Sequence, residues 1–274
     1  MKTIAIVSGK GGVGKSTITA GLAVTLAKQK AVTCIDCDVD APNLALAFGA
    51  TEAADWHRIS TVEHAKIDPR LCTHCGICQD VCYFNAIGDG QVVTEGCEGC
   101  GACELACPEA AISMKPVKNA SLGSYDTPYG FRVYSAQLDP GLSGSGKVVS
   151  ALRAYAAKRD VVLIDAAAGI GCPVIASITG VDYAVVVTEP TPASTADARR
   201  ITSVLGHFNI PYGFVVNKSD LGVSPFPAPL ATLPYDRAFP ESLGAMQPIV
   251  EYKKTYRDPF KRLAERILAQ IPLR

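Results

Sequence analysis

The chain has 274 residues, of which 48% are hydrophobic, and its formal net charge is zero. This length fits one large α/β domain or two smaller ones, and the hydrophobic content is sufficient for a buried core. The lack of net charge argues against a general polyanion-binding surface, so we expect no nucleic-acid partner. The segment Ile67–Lys115 contains seven acidic and two basic residues, so it carries −5 and the remainder +5. This favours a basic-surfaced partner, with a solvated acidic domain as the alternative.

Eleven cysteines occur in a chain without the marks of a secreted protein. Residues Met1–Ala5 lead directly into a predicted strand and contain no hydrophobic region of a signal peptide. No apolar run is long enough to span a bilayer. We therefore expect a cytoplasmic protein in a thiol-reducing compartment, without membrane association.

Short apolar runs alternate with helix-type segments along most of the chain. Buried strands are predicted at Thr3–Val7, Ala31–Asp36, Phe131–Leu138, Val161–Asp165, Tyr183–Thr188 and Tyr212–Asn217. Helices are predicted at Lys15–Lys28, Lys147–Lys158 and Asp258–Leu273, and the last is amphipathic and expected to pack on the core. Near-continuous apolar strands separated by helices indicate an α/β fold with a mostly parallel sheet covered by helices. Prolines at 225, 227 and 229 exclude a helix between Asp220 and Leu233.

A phosphate-binding loop follows the first predicted strand and opens the first helix. Residues 9–16, GKGGVGKS, satisfy the G-x4-G-K-[ST] pattern in the context that this motif requires. Glycines let successive backbone N–H groups converge on phosphate oxygens, and the helix N-terminus adds a favourable dipole. We expect Lys15 to contact the β- and γ-phosphates of ATP and the Ser16 hydroxyl to ligate Mg²⁺. The predicted nucleotide-binding residues here are Gly9, Gly11, Gly12, Val13, Gly14, Lys15, Ser16 and Thr17.

Two other segments are similar to nucleotide motifs. Gly141–Lys147 repeats G-x4-G-K, but Val148 follows and cannot ligate Mg²⁺, so we interpret this segment as a flexible lead into a helix. Asn217–Asp220 reads N-K-S-D and is similar to the N-K-x-D guanine box of GTPases. GTP therefore stays open as an alternative to ATP.

Eight of the cysteines form two runs of identical spacing, C-x2-C-x2-C-x3-C. Thiolates select iron–sulfur clusters or zinc, and this spacing is typical of two [4Fe-4S] clusters, whereas zinc ribbons use paired C-x2-C knuckles. In such runs the fourth cysteine of each run ligates the other cluster. Pro108 follows the second run, whereas Tyr83 replaces proline after the first. The predicted ligands are Cys72, Cys75, Cys78 and Cys107 for one cluster and Cys97, Cys100, Cys103 and Cys82 for the other.

The two runs belong to an internal repeat, because Leu71–Ile87 and Gly96–Ile112 share the cysteine spacing and both end in Ala-Ile. Repeats this short cannot bury a core alone, so clusters must supply much of the folding energy. Pro116 and the Gly/Ser/Tyr-rich stretch Ser121–Gly130 mark the end of this module. We predict a small inserted α+β ferredoxin-like domain at residues 63–116 and a discontinuous P-loop domain at residues 1–62 and 117–274.

Lys10 carries a resemblance to a known family. The loop K-G-G-V-G-K-S-T resembles the deviant Walker A motif of the MinD/ParA ATPases, and more narrowly the chain resembles the MinD-like subgroup with an inserted two-cluster ferredoxin domain. The resemblance covers nearly the whole chain. It implies a dimer that sandwiches two nucleotides, with Lys10 crossing to the partner's phosphates. Ile35–Leu44 resembles the switch I stretch, which implies that Asp38 positions the attacking water.

Further segments extend the resemblance. Val161–Asp165 resembles Walker B, which implies that Asp165 holds Mg²⁺ through water. Val215–Lys218 resembles the strand whose asparagine contacts adenine, which gives that role to Asn217. Asp165–Gly169 departs from the family pattern because it lacks the prolines common after Walker B, in switch II. By this resemblance the catalytic residues are Lys10, Lys15, Asp38 and Asp165.

These features predict a nucleotide-switched iron–sulfur protein. Mg-ATP binding and slow hydrolysis in a sandwich dimer would gate electron transfer through two [4Fe-4S] clusters to or from a redox partner protein. The dimer would be a homodimer or a heterodimer with a related ATPase. Two alternatives stay open: a cluster carrier or maturation factor, and a ParA-like positioning switch with the clusters as redox sensor.

Overall fold

The computed structural model describes residues 1–92 and 96–271. The helices among these residues are α1 (Lys15–Ala27), α2 (Ile77–Asp80), α3 (Ala102–Ala106), α4 (Ser145–Tyr155), α5 (Cys172–Ile178), α6 (Pro192–His207), α7 (Ala238–Gly244), α8 (Ile249–Tyr252) and α9 (Arg257–Gln270). The strands are β1 (Lys2–Ser8), β2 (Val32–Cys37), β3 (Ala53–Ile59), β4 (Val62–Ile67), β5 (Ile87–Gly88), β6 (Gln91–Val92), β7 (Ile112–Val117), β8 (Ala120–Asp126), β9 (Arg132–Leu138), β10 (Val161–Ala168), β11 (Tyr183–Thr188), β12 (Tyr212–Val216) and β13 (Ala231–Thr232). Across these ranges no helix is long and apolar enough to cross a membrane.

Most strands belong to one sheet with the order β13-β12-β11-β1-β10-β2-β9-β8-β3 in the described part of the chain. The pairs from β13 to β9 are parallel, and β8 and β3 add an antiparallel edge. Successive side chains of a strand point to opposite faces. Ile4 and Ile6 of β1 therefore pack with α1 and α9, whereas Ala5 and Val7 pack with α4, α5 and α6. The predicted α/β fold with a mostly parallel sheet is confirmed.

Several element boundaries differ from the sequence prediction by a few residues. Strand β11 has the predicted bounds, whereas β10 continues three residues beyond Asp165. Helix α4 begins at Ser145, two residues before the predicted Lys147. Helix α9 ends at Gln270, and the predicted end at Leu273 lies outside the described residues. Its buried side chains Phe260, Leu263 and Ile267 face the core, as the apolar stripe predicts.

The stretch that follows the cysteine module, Ser121–Gly130, was predicted only to mark the end of the module. Most of it forms β8 between β3 and β9. Its small residues serve close packing, since a Cβ on Gly123 would lie 2.5 Å from Trp56 Cδ1. Pro116, expected to end the module, lies inside β7, an edge strand on which a missing N–H is tolerated.

The cysteine module forms small sheets of its own. Strands β4 and β7 pair antiparallel from Val62 opposite Val117 to Ile67 opposite Ile112, so they form the base of the module. Ala65, Ile87, Cys103 and Ile112 make a separate small apolar cluster. The limits 63–116 stay a prediction, and the ladder of the base extends one residue beyond them at each end.

Candidate functional site

The phosphate-binding loop joins β1 to α1 at the carboxyl edge of the parallel strands. Gly12 and Gly14 have φ angles of 79° and 98°, in the region that favours glycine. A Cβ on Gly9 would lie 2.2 Å from the carbonyl oxygen of Asp197, so a side chain is excluded there as well. Gly14 precedes α1 without a side-chain cap, which leaves the first backbone N–H groups of the helix available to an anion. Lys15 is buried beneath this loop, and Lys10 is exposed.

Ser16, Thr19 and Asp165 meet beside the loop. Ser16 Oγ donates to Asp165 Oδ2 at 2.5 Å, and Thr19 Oγ1 donates to Asp165 Oδ1 at 3.0 Å. Burial raises the pKa of Asp165, and the positive charge of Lys15 opposes that rise. Carboxylate and hydroxyl oxygens are ligands that suit Mg²⁺, so this corner is where residues of the chain could hold the metal of a bound nucleotide.

Asp36 is a site residue that the sequence analysis did not single out. It lies opposite Asp165 in the β2–β10 ladder, and its carboxylate accepts backbone hydrogen bonds from Asp38 at 3.1 Å, Asn43 at 2.9 Å and Leu44 at 2.9 Å. Burial and the nearby Asp165 raise the pKa of Asp36 to about 7. Asp36 therefore anchors the loop that carries Asp38. Asp36 could have been identified from the sequence by its position as an acidic residue at the end of a predicted buried strand.

Asp38 lies half-buried within range of the charge of Lys15. Burial raises its pKa, and Lys15 partly opposes the rise. The fold thus brings Lys15, Asp38 and Asp165 together at one edge of the sheet, whereas Lys10 is exposed to solvent.

Asn217, at the end of β12, is fastened to the phosphate-binding loop. Its Nδ2 donates to the carbonyl of Val13 at 2.9 Å, and its Oδ1 accepts from the N–H of Lys218 at 3.0 Å. Lys218 Nζ pairs with the buried Glu189 at 2.5 Å, a contact that the sequence did not suggest. Asp220, the last residue of the N-K-S-D segment, accepts from the N–H of Tyr235 at 2.6 Å. This segment therefore connects the phosphate-binding loop to the end of β12 through side-chain hydrogen bonds and an ion pair. The prediction of no helix between Asp220 and Leu233 holds from residue 222 onward, whereas Ser219–Leu221 forms a single 3-10 turn.

The eight cysteines of the two runs line two separate cavities. The first, of about 240 Å³, is lined by Cys72, Cys75, Cys78 and Cys107, and the second, of about 20 Å³, by Cys82, Cys97, Cys100 and Cys103. The fourth cysteine of each run therefore lies with the first three of the other. The sulfurs of Cys82 and Cys107 accept equivalent 3.3 Å hydrogen bonds from the N–H groups of Ala86 and Ala111. Burial raises the pKa of Cys78 and Cys103.

All eleven cysteines are free thiols. In residues 1–92 and 96–271, no group of three or more His, Cys, Asp or Glu side chains is arranged to hold a single metal ion. The role of the eight cysteines as cluster ligands stays a prediction.

Asn119 ties the base of the cysteine module to the P-loop domain. Its side chain is fully buried; Oδ1 accepts from the N–H of Thr61 at 2.9 Å, and Nδ2 donates to the carbonyl of Ser143 at 3.0 Å. Its backbone N–H donates to Ile59 at 3.2 Å, and its carbonyl accepts from Asp139 at 2.9 Å. One residue therefore connects both strands of the base to the loop after β9.

That loop, which includes Gly141–Lys147, also contacts the switch I segment and the start of α5. Leu138 N–H, where the loop begins, donates to the carbonyl of Val39 at 2.9 Å, next to Asp38. At its other end, a Cβ on Gly146 would lie 3.0 Å from Cys172 Cβ, at the start of α5. Gly144 has a φ of 98° and a hypothetical Cβ there would lie 2.6 Å from Val62 Cγ1, so the loop packs directly against β4. The second G-x4-G-K motif is thus a packed connector, where a flexible segment was expected.

A glycine loop before α1, a buried acid on β10 and a mostly parallel sheet define a P-loop nucleotide-binding α/β protein. The sequence profile of the CobQ/CobB/MinD/ParA nucleotide-binding domain matches residues 4–224, and the chain belongs to this family.

Individual relatives agree with this assignment. An uncharacterized protein of Methanocaldococcus jannaschii is 36% identical over 267 residues, which is 96% of this chain and 95% of the relative. The fold is similar to that of the septum site-determining protein MinD of Pyrococcus horikoshii, solved with Mg-ADP, with a TM-score of 0.63 over 99% of both chains at 22% identity. A shorter match, 48% identical over 50 residues, covers 18% of this chain and 17% of the iron-sulfur cluster carrier protein of Pseudomonas fragi.

Proposed function

We propose that this protein is an ATPase whose nucleotide state controls electron transfer through two [4Fe-4S] clusters. The observation that carries the proposal is the pair of four-cysteine cavities in a module that Asn119 joins to a loop touching switch I and the start of α5. The nucleotide bound at one site of the chain would then control the redox module of the same chain.

In this proposal the nucleotide lies on the phosphate-binding loop. The N–H groups of residues 9–17 and the Lys15 ammonium would bind the phosphates, and Ser16 and Asp165 would hold Mg²⁺, directly and through water. Asp38 would orient the attacking water, and Asn217 would face the adenine. Lys10 is exposed, which suits a role across the interface of a homodimer or a heterodimer with a related ATPase. Hydrolysis would be slow until the partner completes the site.

The cysteines would hold one cluster in each cavity, and each bound cluster would accept or release one electron. A cubane cluster is held by four thiolates, each of which binds a different iron. Its ligands therefore surround the cluster and do not converge on one point, as the ligands of a single metal ion do. Each cavity is lined by the four cysteines that a cluster needs, and the second cavity, of about 20 Å³ against about 240 Å³ for the first, would have to widen to admit one. The N–H bonds to Cys82 and Cys107 would stabilise thiolate charge in both sites.

Coupling would run from the switches to the base of the module. Closure of switch I around a γ-phosphate would displace Val39, which holds Leu138 at the start of the connector loop. The loop holds Asn119 through Ser143, and Asn119 holds Thr61 beside β4. A shift at the nucleotide would therefore tilt the module or change the solvent access of its clusters.

The test is an anaerobic redox titration followed by EPR, without nucleotide, with Mg-ADP and with Mg-ATP. We expect about eight irons per chain and a potential or line shape that changes with nucleotide. The matched control is Lys15→Ala, which should keep the iron and lose the nucleotide effect. If the wild-type protein holds two stable clusters whose potential and line shape are the same in all three nucleotide states, gating is refuted.

A cluster carrier is the second candidate, motivated by the local similarity to the Pseudomonas fragi carrier. Cargo clusters must be labile. Incubation of the loaded protein with an apo-ferredoxin separates the two functions, because a carrier transfers iron within minutes whereas permanent all-thiolate clusters stay bound. Rapid, ATP-dependent transfer would favour the carrier.

A further inference from the structure

Two large apolar side chains of the cysteine module are almost fully exposed. Tyr83 is 88% and Leu105 is 90% exposed. Tyr83 packs edge-on against Phe84 with 5.4 Å between the ring centroids, and Phe84 lines the second cavity with Cys82, Cys97, Cys100 and Cys103. Leu105 lies on α3, two residues after Cys103. We call Tyr83, Phe84 and Leu105 the apolar face; its members all lie next to residues of the second cavity.

The internal repeat provides a comparison between the two cavities. The cysteine alignment makes Tyr83, Phe84 and Leu105 equivalent to Pro108, Glu109 and Asp80. The two places share one backbone feature, since the N–H groups of Ala86 and Ala111 donate equivalent 3.3 Å bonds to the sulfurs of Cys82 and Cys107. The first cavity therefore has proline and acids at these positions. Its own apolar neighbours, Leu71 and Ile77, are less exposed, at 52% and 40%.

Side chains with this exposure contribute little to the fold, and aromatic residues are enriched at the centres of protein interfaces. We propose that the apolar face is the docking surface for a basic electron-transfer protein, which places the second cluster at the point where electrons cross. This inference rests on the proposed function and specifies its partner. One electron passes between the reduced cluster and an oxidised group of the partner; no bond is formed and no proton moves.

The negative charge of the cysteine module indicates which kind of partner binds the apolar face. Glu98 lines the second cavity and Glu104 precedes Leu105, within a segment that has seven acidic and two basic residues. A partner with an apolar centre and a basic rim complements this surface. A second copy of the chain is a poorer match, because its own cysteine module carries the same net charge of −5 and two like-charged modules repel each other.

Ferric cytochrome c, a basic haem protein, is the probe. Its binding to the oxidised, cluster-loaded protein is measured by calorimetry at low and high salt for the wild type and the Tyr83→Ser/Leu105→Ser double variant. We expect the double variant to raise the Kd at least about tenfold, and salt to weaken wild-type binding. The controls are Leu71→Ser, beside the first cavity, and Val223→Ser, which removes a 94% exposed side chain from the P-loop domain. Both should bind as the wild type does.

Stopped-flow reduction of cytochrome c by the dithionite-reduced protein should slow in the double variant, whereas reduction of the small dye dichlorophenolindophenol should not. Unchanged affinity in the double variant, an equal loss in Leu71→Ser, or no wild-type binding at low salt would overturn the docking surface. So would conversion of a dimer to monomers by the double variant in sedimentation, which would assign the face to self-association. Iron analysis of the wild type separates these results from failure of the proposed function, since a protein without iron refutes that function directly.

Discussion

Asn119→Ala should disconnect the nucleotide site from the cysteine module. The alanine removes the hydrogen bonds to the Thr61 N–H and the Ser143 carbonyl, at 2.9 and 3.0 Å, from a position that is fully buried. Each such bond contributes about 1 kcal/mol net, and a buried group left without a partner costs about 1–3 kcal/mol. The connection between loop and base should therefore weaken by on the order of 2–4 kcal/mol.

The assay is hydrogen–deuterium exchange of residues 62–117, with and without Mg-ATP, combined with the nucleotide-dependent redox titration. We expect Asn119→Ala to bind ATP normally and to keep its iron, while exchange and potential no longer respond to nucleotide. Ser124→Ala is a matched control, because Ser124 is buried on β8, the strand that follows Asn119, and its hydroxyl makes no hydrogen bond in the described structure. A variant that loses stability but keeps the full nucleotide response would refute this route.

Three further predictions test other parts of the molecule. Lys10→Ala should abolish phosphate release but leave the affinity for a fluorescent ATP analogue unchanged, because Lys10 is exposed; full hydrolysis would contradict the sandwich dimer. Cys82→Ser should lower the iron content from about eight to about four per chain, and an EPR signal from the cluster beside Cys72 should remain. Asp236 has a pKa lowered to about 2 by hydrogen bonds from Lys253, the Ala238 N–H and Tyr256, so it stabilises the fold at neutral pH, and this contribution is lost as the pH falls toward 2. Asp236→Asn should lower the free energy of unfolding in urea by about 1 kcal/mol at pH 7 and by less at pH 3; an equal difference at both values would contradict the ion pair.

The parallel core and the phosphate-binding loop could be predicted because their signals are local. Apolar runs such as Tyr183–Thr188 are buried on both faces and need no knowledge of their neighbours. The antiparallel edge was missed for the opposite reason. In β8, Gly123 stands in place of a large apolar residue because Trp56, far away in sequence, fills the space above it.

Residues that act through distant partners were also invisible in the sequence. In the sequence, Asn119 is one polar residue in a Lys-Asn-Ala stretch. Its structural role depends on hydrogen bonds to Thr61 and Ser143, which are 58 and 24 residues away. Asp36 was passed over because its three partners are backbone N–H groups, which carry no residue identity. The grouping of each fourth cysteine with the other run is different, because the spacing of the two runs predicts it directly.

The base of the cysteine module has a consequence for how such a chain can be assembled. Val62 and Val117 lie opposite each other in the β4–β7 ladder, so the chain leaves the P-loop domain and returns to it at adjacent points. An insertion with neighbouring ends adds no crossing to the surrounding topology and imposes almost no loop-closure cost on its host. The module could therefore be gained or lost as a unit without rebuilding the parallel sheet and the phosphate-binding loop beside it.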